Sequence, residues 1–370
     1  MKVAIVLNTS WNIVNFRMGL IRALMQEGNE IYTIAPHDPY SEKLIEAGCH
    51  FIPLKMDSRG ANPLKDTALI FELYKIYRKV KPDIILHFTV KPNIFGTIAA
   101  SLLGIPVINN VCGLGTAFLK KGILTNIVST LYKMSFKLSS KVFFQNYEDC
   151  KLFVSKRLID GQKTDILPGS GINIAQFKPV KQKKGGSFTF LVISRLIKEK
   201  GILEYVEAIK SLKEENPHLK FQLLGAKDPN HKSGIPSELI DEWITSGIFE
   251  YLGTAEDVRP HIQGADCIVL PSYREGTPRT LLEAASMAKP IITTRTAGCT
   301  NVVEDGVNGL LCRSKDATGL AAKMKMMAEL SMEKRLQMGI SGREKIESKF
   351  DEKFVIEKYL HSIEEITGRH

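Results

Sequence analysis

The sequence predicts an α/β protein made of two doubly wound, parallel-sheet domains in tandem. Three observations carry that expectation. Short β-branched runs alternate with amphipathic helical stretches through the first half of the chain. The alternation stops at a segment rich in Gly, Pro and Lys, and then restarts. A β-α-β rhythm of this kind builds parallel sheets. With 370 residues, of which 44% are apolar, the chain has the length of about two globular domains.

The first series of strands reads KVAIVL, EIYTIA, CHFIPL, PDIILHF, IPVINN and KVFFQN, with FRMGLIRALMQEG and PLKDTALIFELYKIYRKV as intervening helices. The opening MKVAIVLNTS has an apolar run too short for a signal peptide, and Asn8 ends it, so it is expected to be a buried first strand. The most apolar longer region, IFGTIAASLLGIPVI, is broken by Gly104 and Pro106 and is too short to span a bilayer. The connection is DILPGSGINIAQFKPVKQKKGG. SFTFLVIS, FQLLGA, FEYLG, DCIVL and KPIITT form the second series, and FDEKFVIEKYLHSIEEI is a closing helix. The expected domains are 1–175 and 176–349, with the helix of 350–370 packing back on the first domain.

Six scattered cysteines without a CxxC spacing argue against a zinc site or disulfide framework and fit a reducing cytoplasm. The net charge of +10 is uneven. Residues 1–180 hold seventeen Lys and five Arg against thirteen acids, so +9, and the remainder contributes +1. From Ile84 to Tyr147 there is no acid, but there are six lysines: Lys91, Lys120, Lys121, Lys133, Lys137 and Lys141. Such a face is either solvated surface or an attractor of polyanions and anionic lipid.

Doubly wound sheets bind ligands at the carboxyl ends of their strands, and a cleft between two such domains is the expected site. The stretch PSYREGTPRTLLEAASMAKP follows a buried strand. It places Glu275 in the loop, Pro278 in the first helical turn, and Glu283 in the second. Backbone N–H groups of Thr280 and Leu281 at a positive helix end suit a phosphate. A carboxylate such as Glu283 suits vicinal sugar hydroxyls. Solvated acids near a helix start are the plain alternative. A second loop, SRLIKEKGI, sets Arg195 and Lys200 at another strand end, where two cations neutralise a diphosphate.

The set SRLIKEKG, PSYREGTPRTLLEAASMAKPII and EDGVNGLL resembles glycosyltransferase family 4, whose hallmark Glu-x7-Glu is here Glu275 to Glu283. The resemblance implies the GT-B fold, two Rossmann-like domains facing across a cleft, and a retaining hexosyl transfer without metal or other cofactor. HFTVKPNIFG, NNVCGLGTAF and KVFFQNYED are similar to the branch acting on undecaprenyl-diphosphate glycans, which includes α-1,3-N-acetylgalactosaminyltransferases and capsule or O-antigen transferases. It further implies that Arg195 and Lys200 bind the donor diphosphate. Glu275 then contacts the donor sugar in a pocket shaped by Gly276, Thr277 and Pro278. Arg279, Thr280 and Leu281 form the phosphate-binding helix start, and Glu283 holds the ribose. No Asp-x-Asp occurs, consistent with a metal-free mechanism. UDP-sugar and a lipid-linked glycan are the implied substrates, at the inner face of the cell membrane.

Departures from the family pattern are specific. The first loop, NTSWNIVNFRMG, lacks a Gly-Gly pair and has only Gly19, so Arg17 is the candidate for acceptor phosphate. In LHFTVKP, His87 is the candidate sugar contact, with Thr89 or Lys91 as neighbours if the register shifts. Asn301 stands where relatives often have Glu. Gly113, Leu114 and Gly115 suit close approach of a substrate to the backbone.

In GTAFLKKGILTNIVSTLYKMSFKLSSK, residues Ile123, Ile127, Leu131, Met134 and Leu138 form one helical stripe, with Lys120, Lys121, Lys133 and Lys137 off it. Core packing explains the stripe; a basic helix on a membrane surface explains both features. Rival functions are a nucleotide-sugar 2-epimerase on the same fold and a basic polyanion-binding protein. The basic segments lack the aromatic interleaving of nucleic-acid binders.

Overall fold

The computed structural model describes residues 1–57, 63–114, 122–180 and 186–368. The chain divides into two compact units: Met1–Ser170 with Glu352–His370, and Gly171–Asp351.

Unit 1 holds seven parallel strands: β1 (Lys2–Val6), β2 (Glu30–Ala35), β3 (His50–Pro53), β4 (Ile84–Phe88), β5 (Val107–Val111), β6 (Lys141–Phe144) and β7 (Thr164–Ile166). Their order is β3-β2-β1-β4-β5-β6-β7. β1 pairs with β2 on one side and with β4 on the other, Val6 opposite both Ile34 and His87. The winding therefore reverses between β1 and β4. Every residue of β4 and β5 is buried, because helices cover both faces of the sheet. Val3, Ile5, Ile13, Leu20 and Leu86 pack on one face, and Leu73, Tyr77, Ile85 and Phe136 on the other.

The closing helix Glu352–Thr367 joins unit 1. Tyr359 is buried there and accepts from Asn110 Nδ2 at 2.8 Å. Lys358 Nζ donates to both carboxylate oxygens of Asp165 at 2.9 Å and to the Ile166 carbonyl at 2.8 Å. These bonds hold the helix to β7 and to the end of β5. β7 is an edge strand of three half-buried residues, the last two of which open the segment read as the connection. It is too short to stand out from its Gly- and Pro-rich surroundings.

Unit 2 holds β8 (Thr189–Ile193), β9 (Lys220–Leu224), β10 (Glu250–Tyr251), β11 (Cys267–Leu270), β12 (Ile291–Thr294) and β13 (Gly309–Cys312), in the order β10-β9-β8-β11-β12-β13. All pairs are parallel. Here the winding reverses between β8 and β11. Among the described residues no helix is long and apolar enough to cross a membrane.

Candidate active site

The reversal in unit 2 brings the ends of β8 and β11 side by side, and both cation-bearing and acid-bearing loops leave from there. After β8 the chain makes a 3-10 turn, Lys198–Lys200, closed by Gly201 at φ 71°. A Cβ on Gly201 would lie 2.1 Å from the Pro271 carbonyl oxygen, so only glycine lets this turn press against the end of β11. The Tyr273 N–H then bonds to the Glu199 carbonyl at 2.9 Å, and the Tyr273 hydroxyl donates to Glu204 at 2.7 Å. Lys200 Nζ reaches Glu275 Oε1 at 2.5 Å, with both side chains largely buried. Arg195 is half exposed, with one Nη 3.6 Å from the buried Asp228 carboxylate.

The acid-bearing loop is fixed from its other side. Gly298, at φ 79°, packs so closely that a Cβ would sit 1.9 Å from the Gly276 oxygen. Gly276 and Pro278 are buried, and Thr277 is half-buried. Pro278 caps the helix Arg279–Ser286. Thr280 Oγ1 donates to the Ile193 carbonyl at 3.1 Å, tying the helix start to the end of β8. The expected phosphate-binding pair is only partly available: the Leu281 N–H turns back to the Pro278 carbonyl at 3.1 Å, and its side chain is core. A tight first turn satisfies that donor internally.

Glu283 faces Arg279 one turn earlier, with Nε to Oε1 at 3.1 Å. Burial pushes the Glu283 carboxyl above the ordinary carboxylate range, and Arg279 opposes that shift. Arg279 also donates to the Gly171 carbonyl at 2.6 Å and lies over the Phe177 ring. The fold thus gathers Arg195, Lys200, Glu275, Gly276, Thr277, Pro278, Arg279, Thr280 and Glu283 around neighbouring strand ends of one unit. Sequence reasoning missed Asp228, Tyr273 and Gly298. Only the four-residue spacing of Arg279 and Glu283 was visible as a pairing signal.

The candidates in unit 1 fare differently. His87 is a correction. It is fully buried, with Nε2 2.9 Å from the Tyr77 hydroxyl and Nδ1 3.2 Å from Asn109 Oδ1. Burial pushes its pKa down to about 3. Both ring nitrogens are used inside the core, so His87 is not free to contact a sugar. Lys91 pairs with Asp66 at 2.8 Å. Leu114 is core, so its side chain is not available to a substrate. Gly113 has φ 147° at the end of β5, and Gly115 lies outside the described residues. Arg17 is buried on the helix Ser10–Gln26.

The helix Ile123–Lys137 also corrects one reading. Its buried face is Thr125, Tyr132, Ser135 and Phe136. Of the apolar stripe, Ile127, Met134 and Leu138 face outward, 51%, 57% and 51% exposed beside exposed Lys133 and Lys137, while Leu131 packs half-buried against the core. Lys120 and Lys121, and the side chain of Ile123, lie outside the described residues.

Two tandem doubly wound sheets, with cations and carboxylates converging at the reversal of the second, suit an enzyme that acts on a nucleotide sugar. Residues 187–329 match the family model described as glycosyl transferases group 1, and residues 2–146 match glycosyl transferase 4-like. The chain belongs to this glycosyltransferase family and has the GT-B fold. It is 28% identical, over 97% of both chains, to N,N'-diacetylbacillosaminyl-diphospho-undecaprenol alpha-1,3-N-acetylgalactosaminyltransferase of Campylobacter jejuni. It is 27% identical to UDP-Gal:alpha-D-GlcNAc-diphosphoundecaprenol alpha-1,3-galactosyltransferase of Escherichia coli, over 70% of this chain and 69% of that one. The crystal structure of HepE from Anabaena in complex with UDP superposes with a TM-score of 0.78 at 17% identity, covering 99% of this chain and 100% of the other.

Proposed function

We propose that the protein transfers a hexose or N-acetylhexosamine from a UDP-sugar to an undecaprenyl-diphosphate-linked saccharide, with retention of configuration, during bacterial surface-glycan assembly. The observation that carries the reading is the convergence of Arg195, Lys200 and Glu275 at the ends of β8 and β11. The names of the curated relatives support a lipid-linked acceptor, and the UDP complex of HepE supports the donor.

The chemistry follows from charge. The bond between the anomeric carbon and the diphosphate oxygen breaks, and its electron pair goes to the diphosphate. Arg195 and Lys200 stabilise that developing charge without the reorganisation water would need. The acceptor hydroxyl attacks from the face the leaving oxygen vacates and gives that oxygen its proton. Glu275 orients the sugar through its hydroxyls, and Glu283 holds the ribose. No divalent metal is required, because the Arg–Lys pair supplies the positive charge.

Exposed Ile127, Met134 and Leu138 next to Lys133 and Lys137 suit an anionic membrane surface, where a lipid-linked acceptor resides. The reading therefore includes peripheral association with the cytoplasmic face of the membrane.

The test is Glu275→Gln, assayed with membrane lipid extract and a panel of UDP-sugars. UDP affinity by calorimetry stays near the wild-type value, while turnover falls by about 100-fold, the scale of one lost transition-state contact. Wild-type turnover in this variant removes Glu275 from the site.

A further inference from the structure

Arg17 is only 4% exposed, yet it has no anionic partner among the described residues. Its guanidinium lies over the Phe88 ring, 4.2 Å from the centroid. One terminal nitrogen makes a long 3.6 Å contact to Cys112 Sγ, and Nε has no acceptor. A buried cation without a counter-charge is costly, and folds seldom keep one without a compensating use.

Its position gives that use. The helix Ser10–Gln26 follows β1, Phe88 ends β4 and Cys112 follows β5. Arg17 therefore spans the point where the winding of unit 1 reverses, the place where doubly wound sheets take ligands. An independent feature follows Phe88 directly in the chain. Thr89 sits at φ 67°, a left-handed conformation that a β-branched residue adopts only under strain, and its buried hydroxyl has no partner. The connections that follow β4 and β5, up to Tyr147, contain no Asp or Glu.

We propose that Arg17 and Thr89 form an anion site in unit 1 that takes the diphosphate of a polyprenyl-diphosphate-linked acceptor. The assignment of the ligand rests on the acceptor class proposed above. The guanidinium supplies a planar fork of donors for phosphate oxygens, and the hydroxyl adds another. Neutral glycosides are then poor acceptors even when their terminal sugar is correct.

Cys112 allows a test independent of turnover, because it is the one cysteine of six that is not buried, and its sulfur touches Arg17. Maleimide labelling of Cys112 is followed by mass spectrometry in the presence of farnesyl diphosphate, inorganic pyrophosphate or farnesol. Farnesyl diphosphate is expected to slow labelling most, pyrophosphate less, and farnesol not at all. Arg17→Met should raise the farnesyl diphosphate concentration needed by about tenfold or more. It should also leave UDP affinity intact and keep or raise the thermal midpoint, since an unpaired buried charge is removed. Thr89→Gly should likewise weaken protection while relieving backbone strain.

Protection retained in Arg17→Met together with a lowered thermal midpoint overturns the proposal, because Arg17 is then structural. Absence of protection by either diphosphate also overturns it. Equal protection by pyrophosphate and farnesyl diphosphate overturns the lipid-linked assignment in favour of a free anion. Failure of the wild-type protein to bind UDP sinks the donor reading alone and leaves the labelling result standing.

Discussion

At the residue scale the carboxylates and one histidine carry measurable consequences. In the proposed donor site, ribose hydroxyls donate to an ionised Glu283, and burial makes that group protonate at a higher pH than an ordinary glutamate. UDP affinity is therefore expected to decline, as pH falls, starting above the usual value of about 4.3. Glu283→Ala should weaken UDP binding by about 1.5–3 kcal/mol at neutral pH and abolish that decline. Calorimetry across pH measures both, and an unchanged affinity removes the ribose role. His87 titrates at about 3 in the folded protein against a reference value of 6.5. Between those values the unfolded chain binds a proton that the native state does not, so stability present above pH 6.5 is lost as pH falls toward 3. Of this loss, about 2 kcal/mol lies between pH 7 and 5. His87→Gln should be less stable at pH 7, through its lost bonds to Tyr77 and Asn109, but its stability should change less between pH 7 and 5. Urea unfolding read from Trp11 in a Trp243→Phe background checks this, since each unit contains one tryptophan. A slope as steep as the wild-type's excludes His87 as its source.

At the element scale the helix Ile123–Lys137 is the place where pattern and structure part. Its apolar spacing fits a buried stripe, and its lysines fit a solvated edge. The fold instead buries Tyr132, Ser135 and Phe136 and turns Ile127, Met134 and Leu138 outward. A segment with apolar residues on two faces has no unique inward direction, and packing against neighbours decides it. The consequence separates by salt. Each lysine near anionic lipid contributes about 1 kcal/mol, and this part is screened at about 0.5 M salt. Lys133→Gln with Lys137→Gln should lower vesicle pelleting at low salt. Ile127→Ser with Met134→Gln should lower whatever binding survives high salt. Neither pair should shift the thermal midpoint, since all four side chains are exposed. Normal pelleting by both variants removes this face from the membrane reading. The helix Arg279–Ser286 behaves in the opposite way, because Pro278, the four-residue pair and the apolar run all agree, and the sequence was sufficient to place it.

At the scale of the whole molecule, the expected independence from divalent metal is a property of the assembled charge and not of one residue. Activity should persist in EDTA, and Arg195→Ala should lose activity at every metal concentration. Complete loss in EDTA, restored by magnesium or manganese, refutes the metal-free mechanism. The sequence by itself determined the two series of parallel strands, because a β-α-β rhythm has few other ways to bury its apolar faces. It also determined the cation and acid loops, because strand ends in such sheets are marked by where each apolar run stops. The tertiary structure alone decided which of those side chains meet. β4 is buried on both faces, so no alternation along IILHF could show that His87 points into a polar core network with Tyr77 and Asn109. Nor could any spacing reveal that Lys200 closes on Glu275, seventy-five positions away, or that Arg17 ends against Phe88 and Cys112 without an anion. Periodicity records whether a face is apolar; which groups become partners is fixed only when distant strand ends are packed side by side.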